Sequence, residues 1–488
     1  MLASPYVTNI QKNKIRGCMI GGAVGDALGW PVEFKSEREI FNKYWPDGIK
    51  AYVLNSAGEA EITDDTQMAL FTANGMLYGK TQNLLRQINK PLHQYVAVAY
   101  QDWLYTQEEG YATKLLPGGI SWLSDVKGLF HRRAPGGTCL HALRLQNSAP
   151  GNISDYVKAE LNDSKGCGGI MRVAPIGLMN WPDIIALDFE GAQVTAITHG
   201  HPLGYMPSAV LVHIINRLIY SAKEDQTLTS IIVEARDTVS ELFKGDPFLP
   251  KLCSIINRAV DLAENSEDND LENIHKLGEG WVAEETLGIS LYCALRYQDD
   301  FSAGIIASVN HKGDSDSTGA VTGNILGALV GYEAIEDKWK EKLELRDVIL
   351  EIADDLCRGV PVSEEGKVSN AIWLRKYNKS ETQEAKWDAR YWEWKNKYFG
   401  NYNVLAAFKI SETEHLVSLF GEEMRQAARR DDEIFFFLDT AGRNITPMKV
   451  LAYAFGGQYN DDPPYGKQIK DFAFQANEYK YRPGIGNR

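Results

Sequence analysis

The chain lacks several features that would have pointed elsewhere. Its six cysteines (18, 139, 167, 253, 293 and 357) are scattered, with no CxxC pair. That removes the usual disulfide-framework and thiolate-zinc signatures and makes a reducing compartment the simplest expectation. Positive charge is short: 51 Lys and Arg against 65 Asp and Glu leave a formal net charge of −14, so a general nucleic-acid surface is not expected. An anionic ligand is still compatible, held by backbone amides and metal ions. No apolar run reaches about 18 residues and no basic-then-apolar leader opens the chain, so neither a membrane span nor an export signal is expected. The expectation is a soluble, cytoplasmic protein; its oligomeric state is not legible.

Strand patterning is also scarce. A hydrophobic share of 44% and a charged share of 24% over 488 residues are ordinary for a soluble protein with ample core. Through the first 360 or so residues the apolar spacing is helical. Pro207 is expected to open a helix running through Val210, Val212, Ile214, Ile215, Leu218 and Ile219, and further helices are expected over 226–244, 250–264, 284–297 and 301–310. A Trp- and Lys-rich stretch at 371–400 reads as an amphipathic connector. Beyond it the texture is mixed: strands at Tyr402–Ile410 and Glu433–Leu438, a capped helix from Ser411 to about Arg429, and another helix over Thr446–Phe455. The expected layout is an all-α domain over 1–365, a connecting segment over 366–399 and a small C-terminal α/β module over 400–488.

What is present in quantity is acid in two short loops. Thr63-Asp64-Asp65-Thr66 and Gly313-Asp314-Ser315-Asp316-Ser317-Thr318 concentrate carboxylates and hydroxyls at expected helix starts, Thr63 or Asp64 opening a helix over Gln67–Tyr78 and Ser317 or Thr318 another. Asp, Ser and Thr are ordinary N-cap residues, and one such loop alone more often caps a helix than holds a ligand. Two that converged would need a counter-charge, and oxygen-only donors favour Mg²⁺, Mn²⁺ or Ca²⁺ over zinc.

Two glycine ladders give a reason for convergence. Gly17, Gly21, Gly25 and Gly29 recur every fourth residue, as do Gly319, Gly323, Gly327 and Gly331. Glycine inside a helix costs about 1 kcal/mol against alanine, and bare stripes allow two helix backbones to approach closely. The first ladder carries Asp26 and leads to Glu33; the second begins directly after Thr318. Ser164–Arg172, with Gly166, Gly168 and Gly169, reads either as a plain turn or as a loop offering N–H groups to a phosphate. Cys167 has no assigned base, and the His199/His201 pair is a weak metal signal.

Together, IRGCMIGGAVGDALGWPVEF (15–34), ITDDTQMAL (62–70), SKGCGGIMRVAP (164–175), THGHP (198–202) and NHKGDSDSTGAVTGNILGALVGY (310–332) resemble the ADP-ribosylglycohydrolase family in content and order. The resemblance implies an orthogonal multi-helix bundle with a dinuclear Mg²⁺ or Mn²⁺ site. Its ligands would be Thr63, Asp64, Asp65, Asp314, Asp316 and Ser317. Asp64, Asp65 and Asp316 would share in activating water, and Glu33 would sit on a mobile flap. Asp26, Gly166, Cys167, Gly168, Gly169, Met171 and His199 would contact substrate. Three departures stand out: Ser317 where the family usually has Thr, Lys312 for the first of two glycines, and Cys167 for a common Asn.

The implied reaction is hydrolysis of the N-glycosidic bond between ADP-ribose and a protein side chain. Two close cations would lower the pKa of a water, and carboxylates would stabilise an oxocarbenium-like transition state. TDDTQMAL resembles the arginine-directed bacterial members most. A binding protein that occludes an ADP-ribosyltransferase toxin, a hydrolase of another ADP-ribose linkage and a structural relative without activity are the competing readings. The ADP-ribosylated protein is the expected partner, with a paired transferase as a second. The C-terminal module is expected to shape the choice between such partners.

Overall fold

A computed structural model describes residues 7–111, 119–146, 149–221, 226–362, 368, 370–378, 406–410 and 434–438. The chain divides into two compact units, the first running through Lys379 apart from 112–118. This first unit is helical, and its centre is the contact between the helices Asn9–Gly29 and Ser315–Val330.

The ladders explain that contact. A Cβ added at Gly17 would stand 2.2 Å from the carbonyl oxygen of Gly327, at Gly21 2.2 Å from that of Gly323, and at Gly25 1.9 Å from that of Gly319. No side chain fits at such distances, so each rung admits only glycine. The pairing runs antiparallel. Its fourth rung is Gly29 against the carbonyl of Ser315, with a Cβ there only 2.3 Å away. Gly331, expected as the last member of the second ladder, lies past the helix end at φ 85°. Its positive φ is the reason for glycine there.

The remaining helices follow their apolar spacing. Among them are Asp64–Arg86, Leu92–Glu108, Ile184–Ala196, Leu228–Leu242, Leu249–Asn265, Ala283–Arg296, Phe301–Val309 and Arg346–Arg358. The start of one of the longer helices differs from expectation. The helix expected to open at Pro207 begins at Pro202, capped by the His201 side chain, and Pro207 lies inside it. Pro202 takes the early position where a missing N–H costs nothing, whereas Pro207 leaves the fourth-preceding carbonyl without its helical donor. Among the described residues no helix is long and apolar enough to cross a membrane.

The stretch read as a connector starts with a helix, Ala371–Tyr377, whose Trp373 and Tyr377 are buried. Trp373 Nε1 donates to Thr81 Oγ1 at 2.9 Å and Tyr377 OH to Asp355 Oδ2 at 2.8 Å, so this helix is part of the first unit. In the second unit, strands Ala406–Ile410 and Ile434–Leu438 pair antiparallel, Ala406 opposite Leu438 and Ile410 opposite Ile434. The helices expected at 411–429 and 446–455 lie outside the described residues, and an α/β module is not supported by the strand pair alone.

Candidate active site

Both acidic loops sit at helix N-termini; the first helix opens at Thr63 and Asp64 as expected, and the second starts earlier than expected. Thr63 caps Asp64–Arg86, its Oγ1 accepting the Asp65 N–H at 3.3 Å. Asp314, rather than Ser317 or Thr318, caps the second ladder helix, its Oδ1 accepting the Ser317 N–H at 3.2 Å. Carboxylates here gain from the exposed N–H groups and the helix dipole. Gly313, at φ 130°, lets the loop turn where a Cβ would meet the Glu279 carbonyl at 2.0 Å.

The antiparallel ladder delivers the end of the first helix to the start of the second. Asp26 projects from the first helix onto the Thr63 loop, accepting the N–H of Thr63 at 3.0 Å, that of Thr66 at 3.2 Å and the Thr66 hydroxyl at 2.5 Å. Its carboxylate thereby fixes one acidic loop against the ladder. One turn beyond Gly29, Glu33 reaches the other. One carboxylate oxygen from each of Glu33, Asp314 and Asp316 lies within 4.8 Å of the others.

Among the described residues no ion pair joins these carboxylates to a cationic side chain. Burial pushes the Glu33 carboxyl up to about 8, and the charge of Asp314 adds to it. Burial likewise lifts Asp64 to about 8, with Asp26 and Asp314 contributing. Asp65 and Asp316 are held well above the usual carboxylate range by burial and then by their acidic neighbours. Asp26 is raised to about 6 by burial, less than the others because the Thr63 and Thr66 donors favour its charged form. Lys312, the cation expected near the site, is exposed and paired with Glu279 at 2.9 Å. Among the described residues the buried Asp65 Oδ2 has no hydrogen-bond partner. Oxygen donors, mutual repulsion and an orphaned buried acceptor suit a hard divalent cation.

The glycine loop forms the adjoining wall. Lys165 and Cys167 bond to the 281–283 segment, Cys167 N–H to the Trp281 carbonyl at 3.2 Å and Ala283 N–H to that of Lys165 at 2.9 Å. The Cys167 thiol donates to Asp314 Oδ2 at 2.7 Å, so the phosphate-loop candidate and the acidic cluster touch. Burial and Asp314 push that thiol well above its ordinary pKa, which leaves it protonated rather than nucleophilic. Ser317 Oγ is buried 3.9 Å from Met171 Sδ. Gly168 and Gly169 are needed for close packing: a Cβ would lie 3.0 Å from His199 Cε1 in one case and 2.3 Å from Thr195 Cγ2 in the other. His199 faces this loop. His201, two residues on, spends its Nδ1 accepting the Leu203 N–H at 2.9 Å.

Sequence reasoning missed two features. Phe34, at φ 60° and 74% exposed, stacks on Trp281 with ring centroids 4.9 Å apart, joining the residue after Glu33 to the segment that holds the glycine loop. Arg172 is wholly buried, although its place in an apolar GGIMRVAP run gave no sign of a partner.

Comparison with known proteins identifies the family. The sequence model of the ADP-ribosylglycohydrolase family matches residues 8–366. The chain is 25% identical over 402 residues to the ADP-ribosylhydrolase ARH1 of Dictyostelium discoideum, covering 71% of this chain and 94% of that one. It is 22% identical over 339 residues to the ADP-ribosyl-[dinitrogen reductase] glycohydrolase of Rhodospirillum rubrum, covering 68% and 90%. With the ADP-ribosylarginine hydrolase Tri1 of Serratia proteamaculans it shares 22% identity over 356 residues, covering 72% and 80%. The matched span holds both ladders, both acidic loops and the glycine loop, and the chain is a member of the ADP-ribosylglycohydrolase family.

Proposed function

We propose that this chain is a Mg²⁺- or Mn²⁺-dependent hydrolase that releases ADP-ribose from a protein side chain, arginine foremost, reversing mono-ADP-ribosylation. The observation that supports it best is the meeting of Glu33, Asp314 and Asp316 within 4.8 Å, beside the unpartnered Asp65 Oδ2, in a member of this family. The relatives named for arginine and dinitrogen reductase substrates favour a protein-linked ADP-ribose.

Thr63, Asp64, Asp65, Asp314, Asp316 and Ser317 would hold the cations. When bound, a cation pair supplies Lewis acidity toward ribose hydroxyls and a water of lowered pKa. The chain's own residues do the rest. Asp64, Asp65 and Asp316 offer carboxylate oxygens to accept a proton from water and to face the positive charge that develops on the ribose ring. Glu33 orients the ribose from the opposite loop, and Gly166–Gly169, Met171 and His199 hold the diphosphate and adenosine. Asp26 acts through the Thr63 loop, whose N–H groups it holds.

Release of ADP-ribose from an arginine-ADP-ribosylated protein, measured with Mg²⁺ or Mn²⁺ beside serine- and polymer-linked substrates, tests the reading. Metal-dependent release from arginine, lost in Asp314→Ala/Asp316→Ala, is the expected outcome; no release from any linkage refutes it. The catalytic unit is taken as residues 1–365 together with the docked helix Ala371–Tyr377, with 400–488 shaping the choice of modified protein. Unchanged activity on every substrate after deletion of 400–488 would remove that role.

A further inference from the structure

Arg172 is an arginine with no exposure and no carboxylate partner among the described residues. Its guanidinium lies over the Tyr100 ring at 4.5 Å, and its Nη1 reaches only sulfur, Cys139 Sγ at 3.3 Å and Met68 Sδ at 3.4 Å. The one strong bond it makes is from Nη2 to Thr198 Oγ1 at 2.6 Å. That same oxygen lies 2.8 Å from His199 Nδ1.

A guanidinium can only donate, so Thr198 Oγ1 accepts from Arg172 and has its own proton to place. His199 Nδ1 is the nitrogen acceptor within reach; the Cys139 sulfur is a weaker one and already receives Nη1. Burial, with the nearby guanidinium adding to it, holds the imidazole neutral, its pKa pushed down to about 3. A neutral ring that accepts at Nδ1 carries its proton on Nε2. That atom is aimed at the glycine loop: a Cβ on Gly166 or on Gly168 would stand 3.3 Å from it. No described residue accepts from Nε2, although His199 is only 2% exposed. The ring is nearly buried but Nε2 is not among the fully enclosed unpartnered atoms, so this donor stays open to an acceptor atom of a ligand.

We infer that Arg172 and Thr198 are positioning residues that lock His199 in its Nε2–H tautomer, so that the ring donates into the Gly166–Gly169 loop to an acceptor atom of the bound nucleotide. The nucleotide being ADP-ribose rests on the function proposed above; the tautomer does not.

Long-range ¹H–¹⁵N correlation on the full chain with ¹⁵N-labelled histidine reads the tautomer directly, His199→Gln identifying the signals. A pyridine-type Nδ1 and a pyrrole-type Nε2 are expected, and a protonated Nδ1 overturns the inference. Thr198→Val should scramble that signature and weaken ADP-ribose binding by about tenfold in calorimetry, with Thr198→Ser restoring both. An unchanged signature and affinity in Thr198→Val also overturn it, and a changed signature with unchanged affinity overturns the donor role. Should Thr198→Val not fold, the wild-type spectrum decides the tautomer. If wild type shows protonated Nε2 but ADP-ribose does not bind, the relay stands and the proposed substrate falls.

Discussion

The carbonyl oxygen of Gly323 occupies the place a Cβ on Gly21 would need, 2.2 Å from it. The reciprocal contact, from Gly323 toward the Gly21 carbonyl, is 1.9 Å. Two backbones this close cannot yield to a methyl by rotating a side chain. Gly21→Ala should therefore exceed the usual overpacking cost of about 1–3 kcal/mol. A lowered urea midpoint should accompany weakened Mn²⁺ binding, because the same contact sets Asp26 against the Thr63 loop and Glu33 against Asp314. Unchanged stability would mean that the helices can part freely.

Asp314→Ala and Asp316→Ala should each leave the fold intact by circular dichroism. Each removes a donor from a cluster asked to supply several kcal/mol of charge stabilisation, so turnover should fall on the order of a thousandfold. Activity within a factor of ten of wild type would place the chemistry elsewhere.

The acidic cluster predicts how stability varies with pH. Asp26, Glu33 and Asp64 have folded values of about 6, 8 and 8 against ordinary ones of 3.8, 4.5 and 3.8. The folded state thus binds more protons than the unfolded one. Their contribution is complete below the ordinary values and is lost as pH rises through about 6 and then about 8. In chelator the melting temperature should fall across that window. Mn²⁺ should raise it most at the alkaline end, where all three are charged. A melting temperature indifferent to both variables would contradict the cluster's repulsion.

Phe34→Gly separates strain from stacking. Glycine relieves the positive φ at position 34, worth ~1 kcal/mol, and loses a ring pair worth about 0.5–1.5 kcal/mol. Stability should stay within about 1 kcal/mol, whereas kcat should fall as the Glu33 loop loses its hold on Trp281. An unaltered kcat would show that the stack does not position Glu33.

Much of this was legible in the sequence because it is written in spacing. Glycine every fourth residue names a helix face, and the Asp-rich loop just before the second ladder names the end where the site lies. The register was not legible: Gly29 meets Ser315 rather than a glycine, and Gly331 serves a turn. Spacing also shows nothing of which hydrogen bonds a carboxylate makes. Asp26, read as a substrate contact, has its oxygens engaged by Thr63 and Thr66. Arg172 and the Phe34–Trp281 pair depend on neighbours distant in the chain, which no local pattern encodes.

The ladder also sets a schedule. Its first helix starts at Asn9 and its second at Ser315, so the one leaves the ribosome long before the other. Asp64 and Asp65 are therefore made long before Asp314 and Asp316 can join them. A chain truncated ahead of Asp314 holds one acidic loop without the other and lacks the helix that closes the ladder, so the site cannot assemble until Ser315–Val330 has been made.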